Sequence, residues 1–304
     1  MTRVEEFTGD DVSELTPVVS GFAGGENVDI GVIIEDDEII GGSVVANEEG
    51  YSVMEYMEIK PEYRGRKVDG TSLARALTEY TLDFLPDDRT LHSVATSLDG
   101  KTQHIRQSEG FEVSGLSLDK NRSGVKENPS GGFEISLWRL GEDEQLQAYV
   151  PEEIRDFVDK SLSDQRDITY LQPESTYRFG ASIDELDVSE RKFEADVVSG
   201  EDSLTEITSG LQDLRSINNW AEVVNMDVSE PFTYDLSSEL WGQGYRPVDM
   251  SPAVTGNNLK MAKIHREVGE YDLTPETVDL VDETGLDYRV VDEDELSSTV
   301  VFEP

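Results

Sequence analysis

One stretch concentrates residue types that bind charge. An apolar-alternating run ends at Ile59-Lys60-Pro61, and Arg64-Gly65-Arg66-Lys67-Val68-Asp69-Gly70-Thr71 follows. Leu73, Leu77, Tyr80, Thr81 and Phe84 then recur at helical spacing. A strand, a loop of glycines and arginines, and a helix start make an anion site. Free backbone N–H groups and the helix dipole aim at one spot, and the arginines add charge. Two readings of the loop follow. In one, Arg64 to Thr71 hold a pyrophosphate through backbone N–H groups, with charge from Arg64, Arg66 and Lys67. In the other, Asp69 is the N-cap of the helix and accepts from Thr71 and Ser72, so that its carboxylate fills the anion site itself.

The elements around this stretch alternate. Arg3 to Phe7 reads as an edge strand, and Asp10 or Asp11 caps a short helix with Val12, Leu15, Val18 and Val19. Asp29 to Ile34 and Glu38 to Val45 form a hairpin around Glu35-Asp36-Asp37. Tyr51 to Ile59, Thr90 to Thr96, Phe111 to Leu118 and Gly132 to Leu140 read as strands, and Lys101 to Glu109 as a helix stopped by Gly110. The order is β-α-β-β-β-α-β-α-β-β, which implies a mixed sheet with flanking helices.

Composition excludes several function classes. The chain has 304 residues and a net charge of −41, from 66 acidic and 25 basic residues. The sequence pI is about 4.1. Acid is spread along the chain and only nine of the basic residues are Lys. That pattern suits a halophilic, acidic proteome, where multimolar salt screens self-repulsion. No nucleic-acid partner is expected, since phosphate contacts need a basic surface. The chain has no Cys, which removes thiolate catalysis and Cys-ligated zinc. His92, His104 and His265 show no ligand spacing, so no metal is expected. With no apolar run near the ~20 residues of a membrane span and no leader-like start, the expectation is a soluble, cytoplasmic protein with no membrane partner.

The loop supports a resemblance. Ile59-Lys60-Pro61 and Tyr63-Arg64-Gly65-Arg66 resemble the acetyl-CoA pyrophosphate loop of the GNAT N-acetyltransferase family. There a strand ending in V-x-P leads into [R/Q]-x-x-G-x-[G/A] and a long helix. Lys67 and Asp69 stand where the family has Gly, and with Gly70 as the last glycine the loop is one residue longer. Gln107-Ser108-Glu109-Gly110-Phe111 resembles the Gly-Phe that closes the family's second conserved helix. The resemblance covers about residues 1 to 140 and implies acetyl-CoA, or another acyl-CoA, as co-substrate. It assigns Ile59, Arg64, Gly65, Arg66, Lys67, Val68, Asp69, Gly70 and Thr71 to the cofactor, together with Gln103, which matches a Ser-Gln pair of some members. It also implies a Glu on the strand before the loop as base for the attacking amine, here Glu55 or Glu58. Those residues are an odd number apart, so in a regular strand they face opposite sides. Arg106 stands where the family often keeps the Tyr that protonates the leaving thiolate. An Arg can stabilise that thiolate without donating a proton. His104, Ser108 and Tyr56 are the alternatives.

The second half repeats the pattern. Glu152 to Leu162 reads as a helix and Asp164 to Ser175 as a linker. Arg191–Ser199, Leu204–Ile217, Ala221–Val228, Thr233–Gly242, Gly244–Val248 and Asn258–His265 give β-α-β-α-β-β, the order of residues 51 to 140, with Gly244-Tyr245 in the place of Gly110-Phe111. The strand-to-helix junction Val198 to Ser203 carries two acids and no Arg, which repels phosphate. The expectation is an α/β protein of two GNAT-like lobes. Each has a mixed, mostly antiparallel sheet with flanking helices: residues 1–147 form an acyltransferase domain, and 148–304 a degenerate one with a helical linker and an acidic tail. The expected activity is transfer of an acetyl group from CoA to an amine-bearing small molecule or protein by direct attack. A non-catalytic GNAT-fold scaffold or regulator is the alternative. The sequence leaves open a monomer or a homodimer.

Overall fold

The computed structural model describes residues 2–6, 27–48, 50–83, 85–86, 89–96, 100–118, 133–141, 145–162, 167–173, 181–188, 192–200, 202–214, 221–253, 256–265, 268–293 and 297–303. In chain order the first elements are β1 (Thr2–Glu6), β2 (Val28–Glu35), β3 (Glu38–Asn47) and β4 (Tyr51–Ile59). Two short strands, β5 (Lys67–Val68) and β6 (Thr71–Ser72), precede α1 (Leu73–Asp83). Next come β7 (Thr90–Thr96), α2 (Gly100–Ser108), β8 (Glu112–Leu118), β9 (Phe133–Arg139), β10 (Gln145–Ala148), α3 (Glu152–Leu162) and β11 (Asp167–Tyr170). The chain continues through β12 (Ala181–Val188), β13 (Lys192–Ser199), α4 (Leu204–Leu214), β14 (Ala221–Asp227), α5 (Phe232–Gly242), β15 (Arg246–Ala253) and β16 (Gly256–Ile264). It ends with β17 (Val268–Leu273), α6 (Pro275–Thr284), β18 (Tyr288–Glu293) and β19 (Ser298–Phe302). The short helix expected between Asp10 and Val19 and the stretch between the expected strands ending at Leu118 and starting at Gly132 lie outside the described residues.

These elements form two compact units. The first comprises Met1–Val94, His104–Phe111 and Leu137–Glu142; the second comprises Ala95–Gln103, Glu112–Ser136 and Asp143–Pro304. In the first unit the strand order is β1-β2-β3-β4-β7, with the end of β9 beside β7. The β1–β2, β2–β3 and β3–β4 pairs are antiparallel and β4–β7 is parallel. The β2–β3 turn sets Asp36 at φ 50° and Asp37 at φ 67°, the left-handed pair of a type I′ turn, whose twist matches its strands. α1 buries Leu73 and Leu77 against Ile33, Ile40 and Ile59. Ile30, Val32, Ile39 and Val44 pack on the opposite face, as strand alternation requires.

The second unit orders its strands β8-β15-β16-β14-β13-β12, with the start of β9 beside β8. β13–β14 is parallel, and β12–β13, β14–β16 and β15–β16 are antiparallel. The run β12-β13-β14-β16 thus has the order of β3-β4-β7-β9 in the first unit, with the parallel pair in the same place. Two helix ends match as well. Gly110 (φ 84°) donates to Gln107 O, and Phe111 N donates to Arg106 O. Gly244 (φ 90°) donates to Trp241 O, and Tyr245 N donates to Leu240 O. Both are Schellman motifs, which need a left-handed residue after the helix.

Two expectations change here. Asp164 to Ser175 is not only linker, because β11 pairs parallel with β10. The tail is built into the second unit: β17-β19-β18 form a sheet, and α6 starts at Pro275 after Thr274, as its Thr-Pro-Glu start suggests. Among the described residues no helix is long and apolar enough to cross a membrane.

Candidate functional site

β4 is irregular at one place. Val44 pairs with Tyr56 and Val45 with Met54, so Glu55 is an extra residue, a β-bulge. On its other side β4 pairs with β7 only from Tyr51 to Met54. The bulge and the end of the parallel ladder coincide, and β4 runs on to Ile59 with β3 alone. Lys60 N–H donates to Ile40 O at 2.9 Å. Backbone groups in an antiparallel pair alternate between facing the partner and facing away. Lys60 and Glu58 therefore bond toward β3, while Met57 and Ile59 present their N–H and C=O groups on the side that β7 has left.

The loop after β4 is a turn and a miniature hairpin. Lys67 pairs with Ser72 and Val68 with Thr71, around Asp69 at φ 50° and Gly70 at φ 89°. Asp-Gly is a favoured pair for this type I′ turn. Asp69 is thus an exposed hairpin tip and not the helix cap, which overturns the capping reading. The short ladder spends Thr71 and Ser72 as strand and delays the helix to Leu73. Ser72 takes the capping role, its Oγ accepting from Arg75 N–H at 3.3 Å. Gly65 is left-handed too, at φ 78°, and a Cβ at Gly65 or Gly70 would meet nothing within 4 Å.

Two of the three loop cations have partners. Arg64 Nε donates to Ile59 O at 2.9 Å. Arg66 forms a two-pronged pair with Glu35 at 2.7 and 2.8 Å and lies over the Tyr63 ring at 5.0 Å. Lys67 is exposed. An exposed pair such as Arg66–Glu35 contributes about 0–1 kcal/mol, so a phosphate competes with it readily.

Glu58 projects from the face opposite Met57 and Ile59, whose side chains pack with the α1 cluster. Its Oε2 is buried and has no hydrogen-bond partner. Buried carboxylate oxygens are ordinarily bonded, so this one marks an open acceptor. The side chains of Glu55 and Tyr56 lie outside the described residues. The bulge also breaks the regular alternation on which the odd-spacing argument rests.

Arg106, on α2, is only 3% exposed. Its Nη1 donates to Thr78 Oγ1 at 2.9 Å, the guanidinium lies 6.0 Å from the Phe111 ring, and Nε is buried without a partner. Burial pushes its pKa down to about 10, against the pull of Glu109. Thr78 Oγ1 also lies 3.0 Å from Ala74 O and 3.6 Å from Met57 Sδ. Arg106 is therefore one hydroxyl away from the Met57 segment. Thr78 and Met57 escape the sequence reading. The available signal was a threonine on the buried face of a helix that otherwise packs leucines. His104 and Ser108 are exposed, and Ser108 Oγ donates to Ile105 O at 2.8 Å.

Gln103 is fully buried, and its amide is committed within the second unit. Nε2 donates to Asp272 O at 2.7 Å, and Oε1 accepts from Thr274 N at 3.2 Å and Thr277 Oγ1 at 3.0 Å. It anchors the start of α6, which leaves its amide little capacity for a cofactor. The Val198–Ser203 junction is closed in its own way. Ser203 Oγ accepts from Glu206 N, and the Glu206 carboxylate accepts from Ser203 N at 2.8 Å, a capping box. The β13–β14 ladder runs unbroken from Lys192 to Val197. Among the described residues no group of three or more His, Asp or Glu could hold a metal ion.

No protein-family model matches the sequence, and no curated protein matches it. Among solved structures, part of the chain is similar to the ribosomal-protein-S18-alanine N-acetyltransferase from Escherichia coli. The identity is 14% and the TM-score 0.36, over 45% of this chain and 92% of that one. A GNAT-family acetyltransferase from Streptococcus pneumoniae is similar at 14% identity and TM-score 0.36, over 46% of this chain and 99% of that one. One from Bacillus cereus is similar at 18% identity and TM-score 0.34, over 46% and 97%. Similarity at this level leaves the activity to be argued from the chain's own residues.

Proposed function

We propose that the first unit binds an acyl-CoA and transfers its acyl group, acetyl in the simplest case, to an amine. The observation that carries this reading is the coincidence of the Glu55 bulge with the end of the β4–β7 ladder. It leaves the Met57 backbone groups and the Ile59 N–H without β7 as a partner, directly before the glycine-containing loop and α1, while Ile59 O accepts from Arg64 Nε. The space around Gly65 and Gly70 fits a bulky anion at that loop. There Arg64, Arg66 and Lys67 supply charge, and the N–H groups of residues 65 to 71 supply donors, to the pyrophosphate. The acyl-CoA supplies an activated acyl group as a thioester. Met57 N–H is the donor to the thioester carbonyl oxygen and to the negative charge that develops there. Glu58, with its unbonded Oε2, takes a proton from the ammonium so that the free amine attacks, and Glu55 is the other candidate. As the N–C bond forms and the C–S bond breaks, Arg106 sits beside the Met57 segment as a positive charge for the leaving thiolate. Gln103 has no part in this assignment.

The chain reads as two GNAT-like lobes, 1–147 and 148–304, of which only the first binds CoA, although β8 and the start of β9 from the first lobe belong to the second compact unit. The shared strand order and matching Schellman ends support the repeat. The unbroken β13–β14 ladder and the Ser203–Glu206 box support the loss of the second site. A second reading, a GNAT-fold scaffold without catalysis, draws on the internal partners that Arg64 and Arg66 already have. Thiol release from acetyl-CoA with a panel of polyamines, amino acids and Lys peptides separates the two. Turnover that falls in Glu58→Gln with little change in acetyl-CoA affinity supports the enzyme. Absence of both turnover and binding supports the scaffold.

A further inference from the structure

Arg106 is a buried cation to which the reading above gives only a transient partner, the leaving thiolate. The chain carries 66 acids against 25 bases, so an arginine finds a carboxylate easily. Yet among the described residues no carboxylate lies within 4.0 Å of Arg106. The nearest acid in sequence, Glu109, is paired with Arg75 at 3.0 Å. The guanidinium is desolvated, held on one side by Thr78 Oγ1 at 2.9 Å, and its Nε edge is buried and unbonded. Glu109, itself shared with Arg75, offsets only part of the cost of burying this cation. A leaving thiolate offsets that only during the transition state. A carboxylate on the ligand offsets it for as long as the ligand is bound, and the Nε edge of the guanidinium fork has the right shape to take one side-on.

We infer that Arg106 recognises a carboxylate at the far end of the acyl group, so that the preferred donor is the CoA mono-thioester of a dicarboxylic acid. This rests on the reading of the first unit as an acyl-CoA site. Thr78 positions the guanidinium: Nη1 is fixed to its hydroxyl, which lies 3.6 Å from Met57 Sδ, beside the strand proposed to hold the thioester. Transfer would then leave a free carboxylate on the acylated amine: N–C formed, C–S broken, one proton to Glu58, and CoA released as the thiolate, with Arg106 engaged by the carboxylate in place of the thiolate.

The test compares succinyl-CoA with butanoyl-CoA, which has the same chain length and no charge, and with free CoA. Dissociation constants are measured by calorimetry on the full chain and on Arg106→Gln. Succinyl-CoA is expected to bind at least about tenfold tighter than butanoyl-CoA in the wild type, the size of one hydrogen bond to a charged group. The ratio is expected to collapse to about one in Arg106→Gln. If that variant shows no cooperative melting, Thr78→Val replaces it and is expected to shrink the ratio. Equal affinities in the wild type, or a preference that survives in the variant, overturn the inference and leave the CoA site standing. No binding of free CoA or either thioester overturns both.

Discussion

The loop hairpin fixes where α1 begins, and two substitutions test it. Ser72→Ala removes the hydroxyl that accepts from Arg75 N–H. Losing an N-cap side chain costs about 0.5–2 kcal/mol. The bond is 3.3 Å long and exposed, which places the loss near the lower end, at roughly 0.5–1 kcal/mol. For a domain of this size that lowers the melting midpoint by about 1–4 °C. Asp69→Gly is expected to be nearly neutral. Asp69 holds φ 50°, a conformation that glycine adopts freely. The relief is countered by glycine's greater freedom in the unfolded chain, about 0.4–1 kcal/mol, so the net change is close to zero. Scanning calorimetry of both variants is the assay. A silent Ser72→Ala alongside a destabilised Asp69→Gly would return the cap to Asp69 and refute the hairpin reasoning. The loop amides would then be occupied by the chain itself.

Three further outcomes follow from the geometry. Burial pushes the Asp249 carboxyl up, but Lys260 at 3.1 Å and the hydroxyls of Ser251 and Ser114 more than offset it, so its pKa lies below the usual carboxylate value. The associated stability is present above the unfolded pKa of about 4 and is lost as pH falls through the lower folded value. Asp249→Asn at neutral pH is expected to cost about 1.5–3 kcal/mol in urea unfolding by removing the charge that faces Lys260, which keeps the pull of Glu194 and Asp196. Gly110→Ala and Gly244→Ala should each cost about 1–2 kcal/mol by chemical denaturation. Both residues are left-handed and neither added Cβ meets an atom closer than 3.7 Å, so the strain is in the backbone alone. At Gly41 the limit is space. A Cβ there would lie 2.8 Å from Glu58 O and 2.6 Å from Ile59 Cδ1. Gly41→Ala should therefore lower the melting midpoint, at about 1–3 kcal/mol, and weaken acyl-CoA binding by pushing on the Met57–Ile59 segment.

How much of this was legible in the sequence depends on what sets each feature. β4 and α3 announce themselves because their apolar residues recur with the period of the element that forms, and β3 because it is a short continuous apolar run. Asp69-Gly70 was readable as a type I′ turn, but its flanks, Lys67-Val68 and Thr71-Ser72, are too short to show alternation, so a capping role looked equally good. The bulge at Glu55 has no local signature. It is set by register between β3 and β4 and by where β7 stops. Tail strands such as Tyr288-Arg289-Val290-Val291-Asp292-Glu293 mix exposed valines with acids and hide their pattern. α2 misleads most. Gly100 to Ser108 reads as a solvated helix, yet Gln103 and Arg106 are buried in it, because each has polar contacts from elements distant in sequence.

The most direct test of the acyl-CoA site is a calorimetric titration of the full chain with acetyl-CoA and with free CoA, repeated on an Arg64→Ala, Arg66→Ala variant. Saturable binding to a single site per chain, clearly weakened in the double variant, is the expected result. No heat with either ligand, or binding indifferent to both arginines, would contradict the placement of a cofactor on this loop.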